Sequence, residues 1–298
     1  MTQPRQEPLT GSMEGLAHRV EDLATDGTAS LAVATFAEDE LVLGAFERRA
    51  SATISAGSRR VSWRVSGGRA LLAGPGSLHV RLALPRASAL VGDADVPRLV
   101  NRHVRPLLRA LTRLGATATY LGRDFVTVGR RPAGWVGFAH HAASGRAAFE
   151  AIVGVSHAFA DAPDARWGGH APWTLQAAVG REVDVAEVER AIIAEYERAY
   201  PSLERDDASG LRTSGTDARP AWSVRHEAPI GVLGARFEDG DFALGGELVA
   251  SEDLVDAVGR ALRGGARGEA ALRTALDAVP AGELVGVRAA ELAAMLGG

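Results

Sequence analysis

A chain of 298 residues with a formal net charge of -4, 5% aromatic residues and no cysteine excludes several classes. The acidic balance argues against an electrostatic nucleic-acid binder. The missing thiol removes disulfides, cysteine-ligated metals and thioester-forming nucleophiles. All 33 Lys-or-Arg residues are arginine, so Schiff-base and P-loop lysines are unavailable too. No apolar run reaches the roughly 18 residues of a membrane span, and the polar opening has no signal-peptide core. A cytoplasmic protein without a membrane or nucleic-acid partner is expected.

In chain order, a polar leader at 1–11 precedes Ser12, which can cap a helix carrying Leu16, Val20 and Leu23. Apolar runs at 30–36, 40–43, 60–65, 70–73 and 78–84 read as strands of one sheet, separated by Gly, Ser and Pro. A helix from Asp95 shows Leu99, His103, Leu107, Leu111 and Leu114 on one face, with Pro106 expected to kink or split it. Strands are expected at 116–121, 125–128, 135–139 and 151–158. Asp184 and Glu187 have capping-box spacing before a helix with inner residues Val185, Val188, Ile192, Tyr196 and Ala199. The stretch 202–220 is dense in Ser, Asp, Gly, Thr and Arg and reads as a linker or long surface loop. Strands at 231–237 and 241–249 and helices starting near Ser251, Gly268 and Arg288 follow. The expected class is α+β: a mixed sheet with packed helices over 12–201, and a small α+β accessory domain over 221–298.

Chemistry concentrates near residue 70. In Arg64-Val65-Ser66-Gly67-Gly68, a serine and paired glycines leave backbone N–H groups uncovered beside a cation, a cradle for carboxylate or phosphate. Gly74-Pro75-Gly76-Ser77-Leu78 makes a second turn close by. His140, His141, His157 and His170 match no usual ligand spacing, so no protein-held metal is expected. Ser66, His79 and Asp124 could form a hydrolase triad on paper, but no Gly-x-Ser-x-Gly elbow accompanies them. Arg102, Arg105, Arg109 and Arg113 form the solvated side of their helix or a docking face for an acidic carrier.

The order of these segments resembles the lipoate/octanoate–protein ligase family. Val42-Leu43-Gly44, the Arg-x-Ser-Gly-Gly loop, Gly76-Ser77-Leu78, Arg123-Asp124 and Gly129-Arg130-Arg131-Pro132-Ala133-Gly134 follow the family's sequence of motifs. Trp173-Thr174-Leu175 through Tyr200 is similar to the closing helix of its catalytic domain. Asp239-Gly240, Gly245-Gly246-Glu247 and Leu262-Arg263-Gly264 are similar to its accessory domain.

The resemblance implies a lipoate/biotin ligase-like fold that uses ATP and Mg²⁺ to activate lipoate or octanoate as an adenylate. It also implies transfer to a lysine on the lipoyl carrier domain of a 2-oxoacid dehydrogenase or glycine cleavage protein. On it, Arg64, Ser66, Gly67, Gly68, Gly76, His79 and Gly134 hold the nucleotide and acyl phosphate, while Arg131 and Asp124 are catalytic. Leu71, Leu72 and the strand of Trp135 are the expected walls for the alkyl chain. Arg131 stands where the family has lysine; it keeps the charge on a larger, planar group. A non-catalytic homologue that binds an acyl ligand, an acyl adenylate or a carrier is therefore the alternative.

Overall fold

The computed structural model describes residues 20, 23, 26–52, 54, 56–92, 96–122, 124–141, 143–159, 169–208, 210–214, 221–228, 231–238, 241–247, 249–250, 252–263, 269–278, 284–285 and 288–297. The helix expected from Ser12 lies largely outside these residues, as do Arg123 and the Asp239-Gly240 turn.

Strands β1 (Ser30–Thr35), β2 (Glu40–Leu43), β3 (Arg60–Trp63), β4 (Leu71–Ala73) and β5 (Ser77–Leu84) precede helix α1 (Val96–Arg113). Then come β6 (Ala118–Tyr120), β7 (Phe125–Val128), β8 (Arg131–His140), β9 (Ala147–Gly154), helices α2 (Leu175–Val179) and α3 (Val185–Ala199), and short strands β10 (Glu204–Arg205) and β11 (Thr213–Ser214). The first five strands do not share a sheet, contrary to expectation. β1 and β5 join a seven-stranded sheet of order β10-β1-β5-β9-β8-β7-β6, whereas β2, β3 and β4 form a four-stranded sheet of order β11-β3-β2-β4. β2 and β4 are buried at every position. Strands covered on both faces carry no alternation to show which layer they belong to.

In β5, Leu78, Val80, Leu82 and Leu84 face a core shared with Leu99, Leu107 and Leu111 of α1 and with Val188, Ile192 and Tyr196 of α3. Period-two alternation sends Ser77, His79 and Arg81 to the other face, where all three are buried. There the four-stranded sheet covers the large one through two apolar clusters. One contains Val42, Leu71, Trp135 and Ile152; the other contains Val65, Ala83, Ala139 and Ala148.

Helix α1 continues through Pro106 without a break. Proline removes the amide that would bond the carbonyl four residues earlier. That carbonyl, on Arg102, instead accepts from the Tyr200 hydroxyl at 3.5 Å, and Tyr196 donates to the His103 carbonyl at 2.8 Å. α3 begins as expected on Asp184, whose carboxylate accepts from Ala186 N at 3.1 Å; Glu187 turns to Arg181 rather than back to the cap.

The 202–220 stretch is partly stitched into the larger body. β10 pairs parallel with β1, β11 pairs antiparallel with β3, and Arg81 donates to the Gly210 carbonyl at 2.6 Å. Beyond it, β12 (Val224–Ala228), β13 (Gly231–Glu238) and β14 (Asp241–Gly246) form an antiparallel sheet. β15 (Val249–Ala250) pairs separately with β16 (Leu284–Val285), and helices α4 (Glu252–Arg263), α5 (Glu269–Asp277) and α6 (Ala289–Gly297) complete the module. The expected strand at 241–249 is thus divided at Gly246, which has φ 97°. Phe46, from the segment after β2, belongs to this module's core, and Gly246 N donates to its carbonyl at 2.8 Å. No described helix is long and apolar enough to cross a membrane.

Candidate functional site

The loop between β3 and β4 is built around a buried cation. Arg64 is fully buried; its Nη1 donates to the Val42 carbonyl at 3.2 Å, and Nη2 donates to those of Gly67 at 3.0 Å and Arg69 at 2.7 Å. Its Cζ lies 3.9 Å from the centre of the Trp135 ring. Burial lowers the Arg64 pKa to about 10, against the pull of Glu150 and Asp124, so the group is charged at neutral pH. Arg64, expected to grip a ligand, spends both Nη groups on these contacts, while its buried Nε has no hydrogen-bond partner among the described residues. Nη1 is committed to a β2 carbonyl and Nη2 to two loop carbonyls, so the guanidinium is an internal brace between β2 and the loop.

Ser66 is held from below. Its amide donates to Glu150 Oε2 at 2.8 Å and its hydroxyl donates to the same oxygen. The other carboxylate oxygen lies 3.3 Å from His79 Nε2. Arg212 approaches the opposite ring nitrogen, Nδ1, at 3.3 Å. Because arginine only donates, Nδ1 is the acceptor and the ring proton sits on Nε2, facing Glu150. Burial brings His79 down to about 4, with Glu150 opposing and Arg212 and Arg81 adding to the shift. Burial by itself would raise the Glu150 pKa, but His79, Ser66 and Arg81 together bring it to about 2. The pair is a neutral imidazole on an anionic carboxylate. Arg212 also stacks on Phe36 at 3.9 Å and pairs with Glu40 at 3.3 Å. Ser66 and His79 therefore converge on Glu150, not on Asp124, and no hydrolase triad forms.

Above this base, Gly68 takes φ 97°, a left-handed conformation that favours glycine. A Cβ there would lie 3.3 Å from Trp135 Nε1 and 3.3 Å from Arg64 Nη2. The amides of Gly67 and Gly68 donate to no acceptor among the described residues, and the buried Trp135 indole N–H has no partner there either. Beside them Arg69 Nε meets Asp124 Oδ2 at 2.8 Å, with both side chains mostly buried. Three donors next to an anchored guanidinium make a site suited to negative charge.

The other expected site residues lie apart. Strand pairing sets Phe125 opposite Trp135 and Val128 opposite Arg131, so Asp124 and Arg131 occupy opposite ends of the β7–β8 hairpin. The guanidinium of Arg131 bonds the Ala171 carbonyl at 3.3 Å and stacks on Trp173 at 4.6 Å. Gly134 allows close strand approach: a Cβ would fall 2.9 Å from the Ile152 carbonyl oxygen. Gly76 turns the chain into β5 with φ 100°, and its carbonyl accepts from Val155 at 2.8 Å. Of the expected alkyl walls, Leu71 and Trp135 share one packed cluster, while Leu72 faces the opposite side of the small sheet. Leu72 is therefore no part of that wall.

Sequence reasoning missed Glu150, Arg69 and Arg212. The signal for Glu150 was available in β5, where Ser77, His79 and Arg81 alternate with aliphatic residues and mark a polar inner face. Arg69 and Arg212 find their partners 55 and 133 residues away, which no local pattern reveals.

No protein-family model and no curated protein matches the chain. Solved structures do. P. falciparum LipL1, in complex with lipoate, aligns with TM-score 0.55 and 10% identity over 78% of this chain and 76% of its own. A bipartite lipoate protein ligase from Thermoplasma acidophilum gives TM-score 0.47 and 14% identity over 60% and 73%. A biotin protein ligase from Aquifex aeolicus gives 0.36 and 14% over 55% and 67%. The chain has the lipoate/biotin protein ligase-like fold, a mixed α+β architecture.

Proposed function

We propose that this protein is a lipoate/octanoate–protein ligase-like acyl-activating enzyme of the cytoplasm. It forms an acyl adenylate against the loop at 66–69 and passes the acyl group to a lysine of a lipoyl carrier domain. The observation that carries this reading is the group of three unclaimed N–H donors, from Gly67, Gly68 and Trp135, beside the Arg69–Asp124 pair. In the first step a carboxylate oxygen of the acid attacks the α-phosphorus of ATP, and pyrophosphate leaves with the electrons of the broken P–O bond. In the second, the lysine amine attacks the acyl carbon, loses its proton, and AMP departs. Negative charge grows on phosphoryl and then carbonyl oxygen, where fixed N–H donors in a dry loop are most effective. Glu150 and Arg64 are positioning residues; they hold the loop's shape without touching substrate.

No group of three potential metal ligands occurs among the described residues. An ion arriving with ATP would take its ligands mainly from phosphate oxygens, and no step here is routed through it. Arg131 favours a second reading, a homologue that binds the adenylate without turnover, since its guanidinium is held on Ala171 and Trp173. Intact-mass analysis of an apo lipoyl domain incubated with protein, ATP, Mg²⁺ and lipoate or octanoate separates the two. An acyl increment on the carrier, reduced by Trp135→Phe, supports the ligase. No increment despite tight adenylate binding supports the second reading, and neither increment nor binding removes both.

A further inference from the structure

α1 carries five arginines and not one acidic residue in 18 positions, within a chain whose net charge is -4. Arg98, Arg102, Arg105, Arg109 and Arg113 recur at spacings of three and four, so helical geometry places them in one stripe about 22 Å long. The opposite stripe is already used. Leu99, Leu107 and Leu111 are buried against the large sheet, so the helix has no apolar face to lay into a lipid surface.

One buried carboxylate organises the stripe. Glu195 of α3, with a side chain only 2% exposed, receives Arg113 Nε at 2.7 Å, Arg109 Nε at 3.3 Å and Arg198 Nη1. Both Glu195 oxygens are thus occupied by three guanidiniums whose own side chains are about half exposed. Arg109 and Arg113 bond through Nε, which leaves their outer Nη edges without a protein partner among the described residues. Arg105 is exposed and also has none. Of the other carboxylates on α3, Glu187 pairs with Arg181 and Glu197 with Arg205, which leaves Glu189 as the one without an ion pair among the described residues.

We infer that this seam of α1 and α3 is a docking surface for an acidic protein, one presenting carboxylates at about one-turn intervals along a helix. The occupant follows from charge and spacing. Guanidinium edges repeating every helical turn, about 6 Å apart, match Asp or Glu at the same interval on a helix lying alongside. Pinning the Nε atoms of Arg109 and Arg113 to Glu195 pre-orients the outward edges of those two side chains and reduces the side-chain entropy they lose on binding. The seam lies on the helical side of the large sheet, whereas Ser66 and Glu150 lie on its other side. A partner held here is therefore not delivering its acceptor lysine, and the inference stands whether or not acyl transfer occurs.

The test uses the full chain and a fluorescent helical peptide of about 14 residues with Glu at positions one, four, eight and twelve, beside its Gln counterpart. Fluorescence anisotropy should show the Glu peptide binding at low salt, with affinity falling about tenfold when ionic strength rises to several hundred millimolar. Arg105→Glu should weaken it about tenfold; this residue is exposed and makes no hydrogen bond or ion pair among the described residues, its charge reaching only the Tyr200 phenol. Arg113→Ala should do likewise, while Arg59→Ala with Arg60→Ala, on a distant surface, should leave it unchanged. Equal binding of the Gln peptide, an equal loss in the Arg59/Arg60 control, or tighter binding of a single-stranded oligonucleotide of the same length would each overturn the proposal.

Discussion

Arg64 and Glu150 are buried charges that spend themselves on the backbone and hydroxyl groups of one loop. Removing one partner of such a network leaves the others unpaired, which is costlier than the net worth of the contacts. Arg64→Ala strips the Val42, Gly67 and Arg69 carbonyls of their donor and opens space against Trp135. It should lower unfolding free energy by on the order of 3 kcal/mol, read from urea denaturation. If Arg64 served ligand alone, the variant would keep its stability and lose only binding. The His79–Glu150 pair makes a pH prediction of definite sign. The unfolded imidazole binds a proton near 6.5 and the folded one only near 4, so stability is lost as pH falls through that window. Glu150 extends the loss from about 4.5 towards 2. Replacing His79 with Phe should flatten the upper part of the curve.

Among the elements, β8 shows how a strand's glycines serve its neighbours. A Cβ on Gly137 would lie 2.6 Å from Cη2 of Trp135, because the indole folds back over its own strand. Gly137→Ala should therefore destabilise by about 1–3 kcal/mol through overpacking, and should weaken ligand binding by displacing the indole N–H. Both effects are measurable, by thermal unfolding and by titration. The sequence was informative where one face of an element is wet or where its two faces differ chemically. The leucine stripe of α1 has this property, and the Asp184 cap of α3 is a local motif that needs no partner layer. The sequence marked β2 and β4 as strands but not the sheet they join, because their residues are buried on both faces. Pro106 suggested a break that tertiary structure repairs, with a hydroxyl from Tyr200 reaching the carbonyl left without its amide. At the site, the Ser-Gly-Gly loop was legible as chemistry. The role of Arg64 was not, since its acceptors are backbone carbonyls that carry no sequence signal.

At the scale of the whole molecule, the C-terminal module meets the larger body around residues 46–51. Arg48 stacks on Trp222 at 3.6 Å, and Trp222 N donates to Ser51 Oγ at 2.8 Å. Glu47 is buried nearby; burial, with Glu247 adding repulsion, pushes its carboxyl up to about 8. The folded state thus holds a proton on Glu47 that the unfolded chain releases near 4.5. Stability contributed by this group is complete below about 4.5 and is lost as pH rises to about 8. Glu47→Gln should raise stability at pH 8 and remove that slope, while the acid-side loss from His79 persists. Thermal unfolding across pH 4 to 9 for both proteins checks it. Failure of the slope to change would place the repulsion elsewhere.

The same segment reaches the functional loop, since Ala45 N donates to the Ser66 carbonyl at 2.9 Å and Gly44 packs beneath Gly67 and Gly68. The central claim is that this loop holds an acyl adenylate, and calorimetric titration with a non-hydrolysable octanoyl-sulfamoyl adenosine tests it most directly. The account predicts saturable one-to-one binding, weakened about three- to tenfold by Trp135→Phe, which removes one donor while keeping an aromatic ring. No binding to the folded protein at millimolar ligand would contradict it.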